Sequence, residues 1–168
     1  MPPSPDTAAL SLEPAVPADY EAIAHLTVGV YLDEQLASER YAVQLADVAG
    51  RADRSELLVV RDTDGRVVAS VALVLDGDFG EVTESDDEAA FRMLVVDPVV
   101  RGRGVGELLV RACLDRARAA GKRRMVLSTD PRMAAAHRLY ERLGFTRLPE
   151  RDWSPAPEVD LLVYALEL

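Results

Sequence analysis

Apolar and polar positions follow two periods along this chain, one of about two residues and one of about three to four. Leu10-Ser11-Leu12 alternates singly and predicts a short first strand. Pro17-Ala18-Asp19 then opens a helical pattern carrying Tyr20, Ile23, Leu26, Val30 and Tyr31. A second helix is expected over residues 38–49, ending near Gly50. Residues 57–61 and 67–75 are β-branched runs, and Asp64-Gly65 between them signals a hairpin. Residues 76–88 hold seven acidic residues and two glycines, which reads as an exposed loop. A strand over residues 91–96 stops at Asp97-Pro98. Residues 104–120 are helical, with Val105, Leu108, Leu109, Ala112, Cys113 and Arg116 on one stripe and Gly121 as the stop. Residues 125–128 form a strand. Asp130 is the expected N-cap, and Pro131 the first residue, of a helix carrying Ala136, Leu139, Tyr140 and Leu143 up to Gly144. Strands over residues 145–148 and 160–168 close the chain, with Trp153 in a loop between them.

These elements make an α+β layer fold, one mostly antiparallel sheet with helices packed against it. The 168 residues suit a single domain over 9–168, with residues 1–8 expected as a flexible Pro-rich tail lacking the basic and apolar regions of a signal peptide. No apolar run is long enough to span a membrane. Cys113 is the only cysteine, which excludes an internal disulfide and a cysteine zinc site and suits a cytoplasmic protein. No clustered His or carboxylate spacing suggests a metal. The net charge of −10 disfavours nucleic acid as a partner. Yet residues 101–142 hold eleven Arg and Lys against four Asp and Glu, a local +7 that leaves −17 on the rest. Such an island fits either a local anion site or solvated Arg-rich helices.

The most informative segment is Leu94-Val95-Val96-Asp97-Pro98-Val99-Val100-Arg101-Gly102-Arg103-Gly104-Val105-Gly106, a strand running through a glycine turn into a helix. Glycines bring backbone N–H groups close to a ligand, and the first N–H groups of a helix attract anions. A pyrophosphate fits such a turn, with Arg101 and Arg103 adding charge-assisted contacts. The lysine of a P-loop is absent, and the glycine spacing differs from that of a dinucleotide fingerprint. The glycines alone are also compatible with an ordinary strand-to-helix turn.

With its flanks, the segment resembles the acetyl-CoA loop of the GNAT superfamily of N-acetyltransferases, whose [Gln/Arg]-x-x-Gly-x-[Gly/Ala] pattern falls on Arg101, Gly104 and Gly106. A second motif of that family is similar to Ala136-His137-Arg138-Leu139-Tyr140-Glu141-Arg142-Leu143-Gly144-Phe145, at the expected distance. The resemblance covers about residues 91–148. It implies a GNAT-like three-layer α/β/α fold whose mixed, mostly antiparallel sheet has a splayed central pair of parallel strands, here residues 91–96 and 125–128.

The same resemblance implies acetyl-CoA as cosubstrate, with CoA as product, and direct attack by an amine on the thioester. It assigns cofactor binding to Leu94, Val95, Val96, Arg101, Gly102, Arg103, Gly104, Val105, Gly106, Met133, Ala136 and Tyr140. Tyr140 takes the place of the acid facing the departing thiolate, a protonated phenol at neutral pH. The family's acidic residue on the strand before the loop has no counterpart, because Ala90 stands there. Glu88, two residues earlier, is the candidate catalytic base, against the reading that it is a solvated loop carboxylate. Met133 replaces an asparagine common in relatives. His137 is expected to pair with Glu141 on an exposed face, and His25 to be structural. Trp153 either lines the acceptor pocket or caps the core. The acidic loop is expected to favour a cationic amine. The acceptor is otherwise open, as is a homodimer. Two other classes remain, a non-catalytic acyl-CoA-binding or regulatory module on the same fold, and a nucleotide binder.

Overall fold

The computed structural model describes residues 9–77 and 82–168. The expected tail and part of the acidic loop lie outside these residues. The chain falls into two compact units, Met1–Leu73 with Met93–Cys113, and Val74–Arg92 with Leu114–Leu168.

In the first unit, β1 (Ser11–Pro14), β2 (Glu56–Arg61) and β3 (Val67–Val74) pair antiparallel in that order. The four central residues of β2 and the last seven of β3 are all buried, so both faces of these strands are covered, which is why their sequences run apolar without alternation. The β2–β3 connection is longer than the two-residue turn that Asp64-Gly65 suggests. Gly65 N–H donates to the Asp62 carbonyl and Asp62 N–H to the Arg66 carbonyl, both at 3.0 Å, while the Asp62 carboxylate accepts from the N–H groups of Asp64 and Arg66. This is a three-residue loop with glycine in the left-handed position.

Helix α1 (Tyr20–Asp33) buries Ile23, Thr27 and Val30, and the Thr27 hydroxyl donates to the Ile23 carbonyl at 2.7 Å. Ile23 joins Val48, Leu57, Val59 and Ala72 in one apolar cluster. His25, expected to be structural, is exposed. The single helix expected over residues 38–49 is two, α2 (Glu39–Ala46) and α3 (Val48–Ala52). Asp47 leaves the helical region (ψ 68°), and its carboxylate accepts from Gly50 N–H at 3.1 Å to cap the second helix.

The strand β4 (Glu88–Val96) begins three residues before its expected start. In the second unit its first residues pair parallel with β5 (Arg124–Thr129), Glu88–Ala90 facing Arg124–Val126. The other edge of β5 pairs antiparallel with β8 (Val159–Glu167) along its whole length. The short β6 (Thr146–Arg147) and β7 (Trp153–Ala156) also pair with β8. Trp153 therefore lies in a strand, not a loop. The hydrogen-bonded order of the sheet is β1-β2-β3-β4-β5-β8-β6, with β7 on β8. Its mixed, mostly antiparallel character with one central parallel pair agrees with the α+β expectation.

Helix α4 (Val105–Ala119) buries Val105, Leu109, Val110, Cys113, Leu114 and Ala117. The expected stripe is thus rotated, with Leu108 and Ala112 at its half-buried margin. Helix α5 (Ala134–Arg142) starts later than Asp130 predicts. The Asp130 carboxylate instead turns onto the N–H and guanidinium of Arg132, each at 2.9 Å, and Met133 becomes the N-cap without a side-chain bond. The helix ends as expected at Gly144, whose φ is 97°. Gly144 N–H donates to the Glu141 carbonyl and Phe145 N–H to the Tyr140 carbonyl, which closes the last turn and sets the Phe145 ring against Tyr140. Gly144→Ala places a side chain at that positive φ, with its Cβ 3.4 Å from Leu166 Cδ1. It should cost about 1–2 kcal/mol, read as a thermal melt lower by about 2–4 °C per kcal/mol.

Candidate active site

The glycine turn belongs to the first unit. β4 ends where Asp97 N–H donates to the Val68 carbonyl at 2.8 Å. The Asp97 carboxylate then accepts from Val99 N–H at 3.0 Å and starts a short 3₁₀ turn with Pro98 as its first residue. Gly102 and Gly104 follow at φ 79° and 78°, a region that glycine alone enters without strain. The Gly104 carbonyl accepts the first α-helical bond of α4 from Leu108 at 3.0 Å. The N–H groups after it, on Val105 and Gly106, have no acceptor within the helix. Buried Val105 anchors the helix start, while Gly102 and Gly104 are exposed. A Cβ added at Gly102 would meet nothing within 4 Å, so the turn opens to solvent. An anion of pyrophosphate size suits this arrangement.

Arg101 is less available than the sequence suggests. Its Nε donates to the Val96 carbonyl at 3.2 Å, and its Nη1 pairs with Glu34 just beyond α1. The basic island as a whole is largely paired, through Arg111–Glu107, Arg118–Asp115, Lys122–Asp76, Arg124–Glu167 and Arg132–Asp130. What distinguishes the turn is its backbone more than its charge. Of the strand residues expected beside the cofactor, Val95 is buried and Leu94 and Val96 are half-buried. Just before them Met93 has φ 55°, a left-handed residue inside a strand. Nothing in the type of this residue signals it.

In the second unit Tyr140 projects from α5 and is 4% exposed. Its ring centroid lies 5.9 Å from Phe91, 5.8 Å from Phe145 and 6.0 Å from Tyr164. This box holds the Tyr140 ring by packing. Ala136, one helical turn before, is half-buried on the same side of α5. Burial, with Glu141 beside it, pushes the Tyr164 phenol above its usual range. His137 does not pair with Glu141. Its Nε2 lies 3.0 Å from the Asp130 carbonyl and 3.3 Å from the Thr129 hydroxyl, and its ring lies against Tyr164. Glu141 accepts from the Tyr164 hydroxyl instead, at 3.4 Å. Met133 places its sulfur 3.8 Å from the Thr129 hydroxyl.

Glu88 is neither a solvated loop carboxylate nor free to act as a base. It is 7% exposed and inside β4. Arg151 grips both of its oxygens at 2.8 and 3.0 Å, Glu84 N–H donates to it at 2.8 Å, and Arg124 lies 3.6 Å away. Burial pushes the carboxyl up, but the Arg151 hydrogen bonds, the Glu84 N–H and the two cations outweigh it and hold it below its usual range. A carboxylate so stabilised is a poor proton acceptor. The sequence hides this because Arg151 lies 63 residues away.

The sequence profile of the Acetyltransferase (GNAT) family matches residues 20–145. The chain belongs to this family. Among GNAT relatives, a mycothiol acetyltransferase of Beutenbergia cavernae is 40% identical over 90 residues, covering 53% of this chain and 27% of that protein. The chain thus spans about a quarter of that relative's length. An aminoglycoside N(6')-acetyltransferase type 1 of Stenotrophomonas maltophilia is 28% identical over 135 residues, covering 80% and 85% of the two chains. Among solved structures, a protein described as an acetyltransferase from Salmonella typhimurium, determined with acetyl-CoA, superposes with a TM-score of 0.69 at 25% identity, covering 95% and 94%. The GNAT-like fold expectation therefore holds. Among the described residues no helix is long and apolar enough to cross a membrane, and no His, Cys, Asp and Glu group could hold a metal.

Proposed function

We propose that the chain transfers an acetyl group from acetyl-CoA to a primary amine of a small molecule, peptide or protein, in the cytoplasm. The observation that carries this reading is the turn at Gly102 and Gly104, where two positive-φ glycines lead into α4 in the segment that resembles the family's acetyl-CoA loop, inside the residues that the family profile matches. Backbone N–H groups at Val105 and Gly106 bind the pyrophosphate, with Arg103 beside them. Arg101 joins them by exchanging Glu34 for phosphate. Leu94, Val95 and Val96 lie along the pantetheine arm, and Met133 and Ala136 contact it from α5.

Acetyl-CoA supplies a thioester carbonyl. The neutral amine forms the new C–N bond, the C–S bond breaks, and no acyl-enzyme is required. Buried Cys113 is out of reach of such a role. The Tyr140 phenol donates a proton or hydrogen bond to the thiolate, and the ammonium proton leaves through water, since Glu88 is held by Arg151. The acidic residues of the loop favour attraction of a cationic amine.

The decisive experiment follows thiol release from acetyl-CoA against a panel of amines. Tyr140→Phe in the same assay should lower kcat by about tenfold to a hundredfold, the low end for a positioned proton donor. CoA affinity and the thermal melt should stay near wild type, since the ring keeps its three aromatic neighbours. A full kcat in this variant removes Tyr140 from the mechanism.

A further inference from the structure

Of the nineteen Lys and Arg residues in the chain, all but Lys122 are arginines. A thioester acetylates neutral amines, and a guanidinium, always charged, offers no such nucleophile. Lys122 is therefore the only side-chain amine of the chain. Its place is set by the end of α4. Gly121, at φ 78°, turns the chain out of the helix, and Lys122 N–H donates back to the Ala117 carbonyl at 3.0 Å. The next two N–H groups, of Arg123 and Arg124, donate to the Asp87 carbonyl at 2.8 and 3.4 Å. The Lys122 side chain turns onto the same segment. Its ammonium donates to the Asp86 carbonyl at 2.7 Å and lies 3.6 Å from the Asp76 carboxylate. One ammonium thus joins both ends of the acidic run, and every residue of this bracket belongs to the second unit.

The bracket makes the amine unreactive as it stands. An amine attacks a thioester carbonyl only as the neutral base with a free lone pair. Here the nitrogen is an ammonium committed to a carbonyl and a carboxylate. A lysine ordinarily keeps its charged head in water, but this side chain is only 10% exposed. The thioester carbon therefore has no approach to Nζ while the bracket is closed.

We propose that Lys122 is a self-acetylation site kept closed by Asp76 and the Asp86 carbonyl. When the bracket opens, the ammonium gives a proton to water and the neutral nitrogen attacks the thioester carbonyl carbon of acetyl-CoA. The C–N bond forms, the C–S bond breaks, CoA leaves as thiolate, and the second nitrogen proton passes to water. The product is uncharged and larger by an acetyl group, so it has no attraction for Asp76 and holds the bracket open. The inference needs acetyl-CoA as donor but none of the acceptors considered above, so it goes beyond the proposed function.

The test uses the full chain carrying Arg40→Lys, which adds one exposed lysine on α2 as an internal reference. The protein is incubated with acetyl-CoA at mildly alkaline pH, and acetylation of each lysine is followed by peptide mass spectrometry. Lys122 should react about tenfold to a hundredfold more slowly than the introduced lysine, the protection given by one charged hydrogen bond. In urea the two rates should converge. Asp76→Asn on the same background should speed Lys122 about threefold, the loss of an exposed ion pair, and leave the reference unchanged. Lys122→Gln, uncharged like the acetylated side chain, should speed hydrogen exchange several-fold at Arg123 N–H and Glu88 N–H, which donate to the Asp87 and Ser85 carbonyls. Equal rates for the two lysines in the folded chain overturn the proposal. So does a difference that persists in urea, which sequence neighbours alone would produce. Unchanged Lys122 acetylation in Asp76→Asn, or unchanged exchange in Lys122→Gln, also overturns it. Acetylation of the introduced lysine shows that the donor is competent, and thiol release with the amine panel tests the acetyl-transfer reading separately.

Discussion

Gly104→Asp should abolish CoA binding in a protein that still folds. Gly104 is exposed and sits at φ 78°, with its carbonyl taking the first bond of α4. An L-residue there carries about 1–2 kcal/mol of strain, which lowers the melt by a few degrees but leaves the core intact. The carboxylate has a far larger effect on the ligand. It would set a negative charge at the helix start, where the proposed pyrophosphate site lies. Gly104→Ala carries the same strain without the charge and separates the two effects. Calorimetry should show weakened binding for the Ala variant and no measurable heat of CoA binding for the Asp variant, with both proteins giving a cooperative melt. Unchanged CoA affinity in folded Gly104→Asp places the phosphate elsewhere.

The largest stability effect is expected from Arg151→Met. The Arg151 and Glu88 side chains are 9% and 7% exposed, and the guanidinium also donates to the Val82 carbonyl. Removing the cation leaves a buried carboxylate with only Arg124 and one N–H for company, a loss of about 3–5 kcal/mol. The double variant with Glu88→Gln should recover part of it, since no charge is then buried. The pH dependence has a definite sign. In the wild type the folded-state pKa of Glu88 lies below its ordinary value. Its contribution is therefore complete at neutral pH and is lost as pH falls through the folded value. Without Arg151, burial acts with less opposition, and protonating Glu88 relieves the variant. The stability gap between wild type and Arg151→Met should narrow as pH is lowered from 7 toward 4. A gap that widens contradicts the buried ion pair as its source.

Local chemistry made several features legible in advance. The β-branched run over residues 67–75 reads as a strand, and Val67–Val74 is one. The stop at Gly144 and the positive-φ glycines at Gly102 and Gly104 follow from conformational freedom at single residues, which composition reports directly. The position of Tyr140 on the inward face of α5 follows from helical spacing, and its buried state agrees.

Features set by distant partners were not legible. Glu88 reads as one more acid in an acidic run, and its meaning changed only when chain folding brought Arg151 onto it. His137 reads as the i,i+4 partner of Glu141, yet the turn at Asp130 offers it a carbonyl that competes better. Asp130 reads as a cap until Arg132 captures its carboxylate. Met93 gives no sign of its left-handed backbone, because its side chain has no preference for it. The physical reason is common to these cases. Propensity and spacing report the energies of neighbours within about one helical turn, whereas a buried polar group takes its state from whichever partner the fold delivers.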